Sequence, residues 1–224
     1  MISLIPHGLD PKLKNISFLP PSAKILSFGC LFAEEMRGSF LQSHRWITNG
    51  LLHENFEDLF LGSILIMNYS LLEYLIGSQK FCLIYIISGI FGSLFVLLIK
   101  SNIKYVGASI SIYGIIGALL GFCLINKDSL EEIFGEIKKI FISFMSMIIL
   151  LDLVNYSTRV IPHFGGAIFG FFLSLCLIKP EKERNTFSKI LFYIGLFICI
   201  LFPILGFSYF YGLKHILLLK IIIL

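Results

Sequence analysis

Apolar residues in this chain come in long unbroken runs instead of alternating with polar ones. Six runs, at about 57–77, 81–99, 104–126, 137–156, 159–178 and 188–212, approach or exceed the length a helix needs to cross a bilayer, roughly 20 residues. Short polar connectors separate them, among them Gly77 to Lys80, Lys100 to Lys104, Asn126 to Glu132, Tyr156 to Arg159 and Lys179 to Asn185. In lipid only helices and closed barrels satisfy every backbone N–H and C=O, and runs this long fit helices. The pattern predicts an all-α fold: a polytopic membrane helical bundle of about six transmembrane helices. Residues 213–224 are apolar but too few to span and are expected at the interface. Residues 1–56 hold no such run; their best stretch, 25–33, ends at Glu34 and Glu35, and Pro11, Pro20 and Pro21 interrupt the rest. That region reads as an interfacial segment, not as a helix across the membrane.

Composition agrees. The chain is 57% hydrophobic and 14% charged, with a mean hydropathy of +0.89, whereas soluble domains are about 25% charged. Membrane lipid is therefore the solvent for much of it. The net charge of +4 is modest, and the basic residues fall in short clusters between apolar runs. That placement marks topology and argues against nucleic-acid binding. One set of loops carries Lys80, Lys127, Lys138, Lys139, Lys179, Lys182, Arg184 and Lys189; the opposite set carries Lys100, Lys104 and Arg159, with Lys214 and Lys220 in the tail. The richer side is expected to be cytoplasmic, which sets the starts of the third and fifth spans at the outer face. Cys30, Cys82, Cys123, Cys176 and Cys199 are scattered, with no CxxC pair, and read as small buried hydrophobes. Neither a metal site nor a cofactor is expected, since no His/Asp/Glu cluster occurs within the spans. No cleavable signal peptide is visible, so the first span is expected to do the targeting.

Polar groups inside a span are costly and mark candidate function. Two places stand out: Gly107-Ala108-Ser109-Ile110-Ser111-Ile112-Tyr113-Gly114, and Pro162-His163-Phe164-Gly165-Gly166. Ser109 follows Lys104 and His163 follows Arg159 at similar spacing, so both are expected roughly 6–8 Å below the outer boundary at 1.5 Å per residue. With the fourth span running the other way, the third and fifth are parallel. Gly117 and Gly121 on one, and Gly166 and Gly170 on the other, have the spacing that lets helices approach closely. A serine in a membrane helix ordinarily bonds its own backbone. At equal depth with a histidine on a closely packed neighbour, it can instead form a nucleophile–base pair.

At these residues the chain resembles the rhomboid proteases. Its GASISIYGIIGA (107–118) is similar to their GASGAIFGLLGA, and its PHFGGAIFG (162–170) to their AHLGGFxxG. Upstream, Arg45, Thr48 and His53 match WRxxTxxxxH, with His44 in place of the tryptophan; Glu73 and Gly77 match LLExxxGS, and Tyr85 and Gly89 match YxxxG. The resemblance covers about 19–178 and divides the chain into a tail (1–18), a membrane domain with an interfacial loop at 19–56, and an additional C-terminal helix and tail (179–224). It implies that Ser109 is the nucleophile and His163 the general base, with no third acidic member and with Tyr113 packed on the histidine. Gly107, His53 and Asp58 would line the binding site. The partners implied are transmembrane protein substrates, cut within or beside the bilayer, and the membrane expected is a bacterial inner membrane.

Three departures from the family pattern carry expectations of their own. The family's first transmembrane helix, due before residue 19, is missing, and a late start of the reading frame is expected to account for it. Ile110 replaces the glycine after the serine and is expected to crowd the approach of substrate. Asp58 and Gly62 stand where the family has an oxyanion-binding histidine and asparagine. An ionised Asp58 would repel an oxyanion and a protonated one could donate to it, so activity is expected to rise as pH falls toward 5. With Asn55 as cap, Glu57 and Asp58 also suit the first turn of a helix. The competing readings are a rhomboid-like pseudoprotease that binds transmembrane helices without cutting them, and a transporter or channel, for which repeats and midplane acids are lacking.

Overall fold

A computed structural model of the chain describes residues 29–53, 56–100, 104–126, 160–179 and 186–223. The expected fourth span (137–156), the cap residue Asn55, the first part of the interfacial loop and several of the loop lysines used for orientation lie outside them. After β1 (Leu31–Phe32) come α1 (Ala33–Gly38), a 3₁₀ turn (Phe40–His44), α2 (Arg45–Thr48) and a second 3₁₀ turn (Asn49–Leu51). The larger helices follow: α3 (Phe56–Asn68), α4 (Ser70–Ile76), α5 (Ser78–Ile99), then β2 (Lys104–Tyr105), α6 (Ser109–Ile125), α7 (Val160–Leu177) and α8 (Thr186–Ile223). This is the helical membrane bundle that the sequence predicts. Among the described residues three helices are long and apolar enough to cross a membrane: Ser78–Ile99, Val160–Leu177 and Thr186–Gly212.

The differences from expectation are local. The first expected span (57–77) is divided, because Tyr69 leaves helical geometry (φ −94, ψ 8) and separates α3 from α4. Asn68, just before the break, turns its side-chain amide onto the Ile64 carbonyl at 2.9 Å. The third expected span (104–126) starts as strand and turn, so Ser109 is the first residue of α6 and not a residue one turn inside a helix. The apolar tail expected at the interface is continuous with α8 as far as Ile223.

Residues 29–53 fold as a compact non-spanning segment, organised by a buried arginine. Arg45, 3% exposed, donates from Nη1 to the Cys30 carbonyl at 2.8 Å, from Nε to Gln42 Oε1 at 2.7 Å, and from Nη2 to Glu35 Oε2 at 2.6 Å. A guanidinium can be buried only when its donors are matched in this way. The Phe207–Tyr211 stretch of α8 packs against the segment. Trp46 Nε1 donates to Tyr211 Oη at 3.0 Å, and its ring meets Phe207 and Phe210 edge-on at 5.1 and 5.3 Å. Arg37 donates to the Phe210 carbonyl at 3.2 Å and lies 4.6 Å over that ring.

The core of the bundle is α5, α6 and α7. A Cβ placed on Gly166 would strike the Ile110 carbonyl; one on Gly170 would strike that of Gly114, and one on Gly117 that of Ala167. Backbone thus meets backbone at Gly166, Gly170 and Gly117, as the glycine spacing predicts, while a Cβ on Gly121 would strike Ser174 Oγ. Leu72, Ile76, Ile84, Ile115 and Leu173 fill one cluster between α4, α5, α6 and α7. A second joins Leu31, Met36, Trp46, Leu94, Ile110 and Phe210, tying the N-terminal segment to the bundle.

Candidate active site

The segment before α6 fixes where its first residue points. β2 pairs antiparallel with β1, with Leu31 opposite Tyr105 and Phe32 opposite Lys104. Gly107 then takes φ +155, a conformation that L side chains rarely adopt, and Ala108 N–H donates to the Leu52 carbonyl at 2.8 Å. Tyr85 Oη, from α5, donates to the Gly50 carbonyl at 2.7 Å and holds the same loop from the other side. Ser109 is therefore delivered by pinned backbone to the N-terminus of α6. The first N–H groups of a helix have no intrahelical acceptor there, and the helix dipole favours negative charge.

Across the glycine seam, α7 brings in His163, which is 7% exposed. Its Nε2 lies 3.0 Å from Ser109 Oγ. Tyr113, one turn beyond Ser109, stacks on the imidazole with centroids 4.0 Å apart and planes 10° from parallel. Ser109 Oγ has a second partner, Tyr105 Oη, at 2.8 Å. A Cβ on Gly107 would sit 3.3 Å from Ser109 Oγ and 3.5 Å from Tyr105 Oη. A side chain at 107 would therefore crowd both hydroxyls. Ser109, His163, Tyr113 and Gly107 are thus together: Gly107 precedes α6, Ser109 and Tyr113 lie on α6, and α7 brings in His163.

His53 and Asp58 form a second group, next to this one. His53 lies against α3, where a Cβ on Gly62 would be 3.2 Å from its Nε2 and 3.1 Å from Ile112 Cδ1, on the turn of α6 after Ser109. Burial pulls the His53 pKa below its ordinary 6.5, and the charge of Asp58 opposes that shift. Asp58 is half-buried in the first turn of α3; the described hydrogen bonds of Ser109 go to His163 and Tyr105, not to it.

One sequence-based expectation about the site changes. Ile110 does not crowd the approach to Ser109: it is fully buried, with its Cγ2 against Gly92 of α5 and Gly166 of α7. One residue along a helix turns a side chain by about 100° (3.6 residues per turn), which carries it from the open face to the seam. Tyr105, by contrast, was missed. Reading 104–126 as one helix hid the extended approach, whose signal was the glycine at 107 just after a tyrosine.

The rhomboid domain family matches residues 41–180. YdcA of Bacillus subtilis (strain 168), whose name places it with the rhomboid proteases, is 31% identical over 142 residues, 62% of this chain and 70% of that one. Rhomboid-like protease 3 of Toxoplasma gondii is 27% identical over 178 residues, 79% of this chain and 67% of that one. Inactive RHOMBOID-like protein 8 of Arabidopsis thaliana is 30% identical over 148 residues, 62% of this chain and 38% of that one. The named relatives thus include both proteases and an inactive member. A family match across more than half of the chain, on a bundle of apolar helices, means that this chain belongs to the rhomboid family of integral membrane proteins.

Proposed function

We propose that the chain is an intramembrane serine endopeptidase that cleaves transmembrane helices of membrane-protein substrates, with Ser109 as nucleophile and His163 as general base. The observation that carries this reading is the 3.0 Å separation of Ser109 Oγ and His163 Nε2 under the Tyr113 stack. A serine hydroxyl does not ionise near neutral pH, and a neutral imidazole at hydrogen-bond distance takes its proton as attack proceeds. Oγ then bonds to the scissile carbonyl carbon, whose π pair moves onto oxygen. On collapse the C–N bond breaks and the imidazolium returns its proton to the departing amine. Water, deprotonated by the same imidazole, releases the acyl group as acid. The helix N-terminus at Ser109 favours the negative oxygen in both steps. The membrane proposed is a bacterial inner (plasma) membrane, in keeping with the small size of the helical domain.

A second reading, a pseudoprotease that holds transmembrane helices without cutting them, is favoured by Asp58 and Gly62, which take the places of the family's oxyanion donors. Loss of one such donor costs about 10²–10³ in rate. Labelling of the folded, detergent-solubilised full chain with a fluorophosphonate separates the two. The protease reading expects labelling of wild type and none of Ser109→Ala or His163→Ala. A folded wild-type protein that takes no label supports the pseudoprotease.

A further inference from the structure

The Tyr105 phenol lies on the reacting oxygen, and neither the sequence motifs nor the serine–histidine pair accounts for it. We propose that Tyr105 is a catalytic residue of the Ser109 site: its hydroxyl donates to Ser109 Oγ in the resting state and to the oxyanion once the acyl carbon is attached. This rests on the protease reading above.

Three observations carry it. Tyr105 Oη is 2.8 Å from Ser109 Oγ, the ordinary distance for an O–H···O bond. Ser109 Oγ also faces His163 Nε2 at 3.0 Å. For His163 to act as base, the serine proton must point at Nε2; the lone pairs of Oγ are then left to accept, and the phenol O–H is the donor. The opposite arrangement, with serine donating to the phenol, would leave the imidazole without the proton it must remove. The hydrogen bond from Tyr105 therefore selects the productive rotamer of the serine hydroxyl.

The second observation is the glycine at 107. A Cβ there would crowd both hydroxyls, 3.3 Å from one and 3.5 Å from the other, so the two face the same side of that backbone. A substrate carbonyl that reaches Oγ from that side meets Oη as well. When Oγ adds to the carbonyl carbon, its proton passes to His163 and the π pair moves to the carbonyl oxygen. That oxygen is bonded to the same carbon as Oγ, within reach of the phenol O–H, while Oγ has become an ether-type acceptor of little charge. The strongest acceptor in the site is then the oxyanion.

The third observation is rigidity. Tyr105 is 6% exposed and its backbone is paired to Leu31 in the strand ladder, while Ala108 is tied to Leu52. A donor whose position is fixed before the charge develops is the kind that stabilises a transition state most. The position supplies what Asp58 and Gly62 fail to supply: a neutral donor on the oxyanion, in addition to the N–H groups that open α6.

The test compares the wild-type full chain with Tyr105→Phe, which keeps the ring and removes only the hydroxyl, in detergent. The readouts are cleavage of a transmembrane peptide, binding of that peptide, and binding of its C-terminal aldehyde, which adds to Ser109 and generates the same oxygen centre. The expected result is a fall of about 10²-fold in kcat and a loss of similar size in aldehyde affinity, with KM, peptide Kd and thermal midpoint unchanged. Wild-type kcat and aldehyde affinity in Tyr105→Phe overturn the proposal and leave the protease reading standing. Equal losses in peptide binding, aldehyde binding and thermal midpoint also overturn it, since they assign the hydroxyl to folding. A folded wild type that neither cleaves nor takes a fluorophosphonate removes the protease reading, and this proposal with it.

Discussion

The ring of Tyr113 lies parallel to the imidazole of His163, 4.0 Å away and on the same helix as Ser109. The stack holds the imidazole plane so that Nε2 faces Oγ, and it comes from the helix that carries Ser109. Orientation of the imidazole is thus built into α6 itself. Tyr113→Phe is expected to keep the stack and most of the labelling rate, while Tyr113→Ala lets the imidazole tilt. Small misplacements of a catalytic group cost about 10²-fold; a fluorophosphonate labelling time course on the two variants measures the difference, and an unaffected Ala variant removes the stack from the mechanism.

The α6–α7 seam predicts a stability effect at a residue that takes no part in chemistry. Gly170→Ala forces a methyl onto the Gly114 carbonyl, so the helices must part or shift. Overpacking of this kind costs about 1–3 kcal/mol, and the serine and histidine separate with the helices. A lower thermal midpoint in detergent together with slower labelling is expected. Gly38→Ala, which meets nothing within 4 Å, is the control and is expected to leave both unchanged.

Arg45 predicts a different failure. Truncation to alanine removes the donor that Arg45 gives the Cys30 carbonyl and opens the turn that Glu35 and Gln42 complete. A hydrogen bond from a charged group contributes about 1.5–3 kcal/mol. Lysine does not restore the site, because a single ammonium cannot reach three acceptors held at the angles of a guanidinium. Limited proteolysis is the readout: both Arg45→Ala and Arg45→Lys are expected to be cut faster within residues 29–53, and a wild-type digestion rate in Lys would contradict this.

His53 sets a pH dependence of stability. Its folded pKa lies below the ordinary 6.5 because burial disfavours the charged ring. Below 6.5 the unfolded chain takes up a proton more readily than the folded one, so stability is complete above that pH and is lost as pH falls through it. The thermal midpoint is expected to fall between pH 7.5 and 5.5 and to fall less in His53→Asn. Asp58→Asn removes the charge that opposes the shift, so there the decline is expected to steepen. A midpoint independent of pH in wild type would exclude the mechanism.

How much of this was legible in the chain follows from which forces act locally. The runs that became α5, α7 and α8 were readable because bilayer thickness and backbone hydrogen bonding together demand about 20 apolar residues, whatever they later pack against. The glycines of the seam were readable for a similar reason: a missing side chain is a property of the sequence, and Gly166 and Gly170 on α7, like Gly117 and Gly121 on α6, could serve little purpose except close approach. Ser109 and His163 stood out because polar groups are expensive in such runs.

Tertiary structure decided the rest. Ser109 and His163 are 54 residues apart, and their contact exists only because α6 and α7 pack on glycine. That Ile110 points into the seam depends on where α6 begins, and α6 begins at Ser109 because β2 pairs with β1, a partner in a distant part of the chain. The same pairing turns Tyr105 toward the serine. Sequence by itself determined which segments prefer lipid and which residues carry reactive groups, since both follow from the chemistry of each side chain. Which groups meet, and which oxygen each donor faces, was settled by packing between helices and by one short strand pair, because distances of about 3 Å depend on the placement of whole elements and not on the neighbours in the chain.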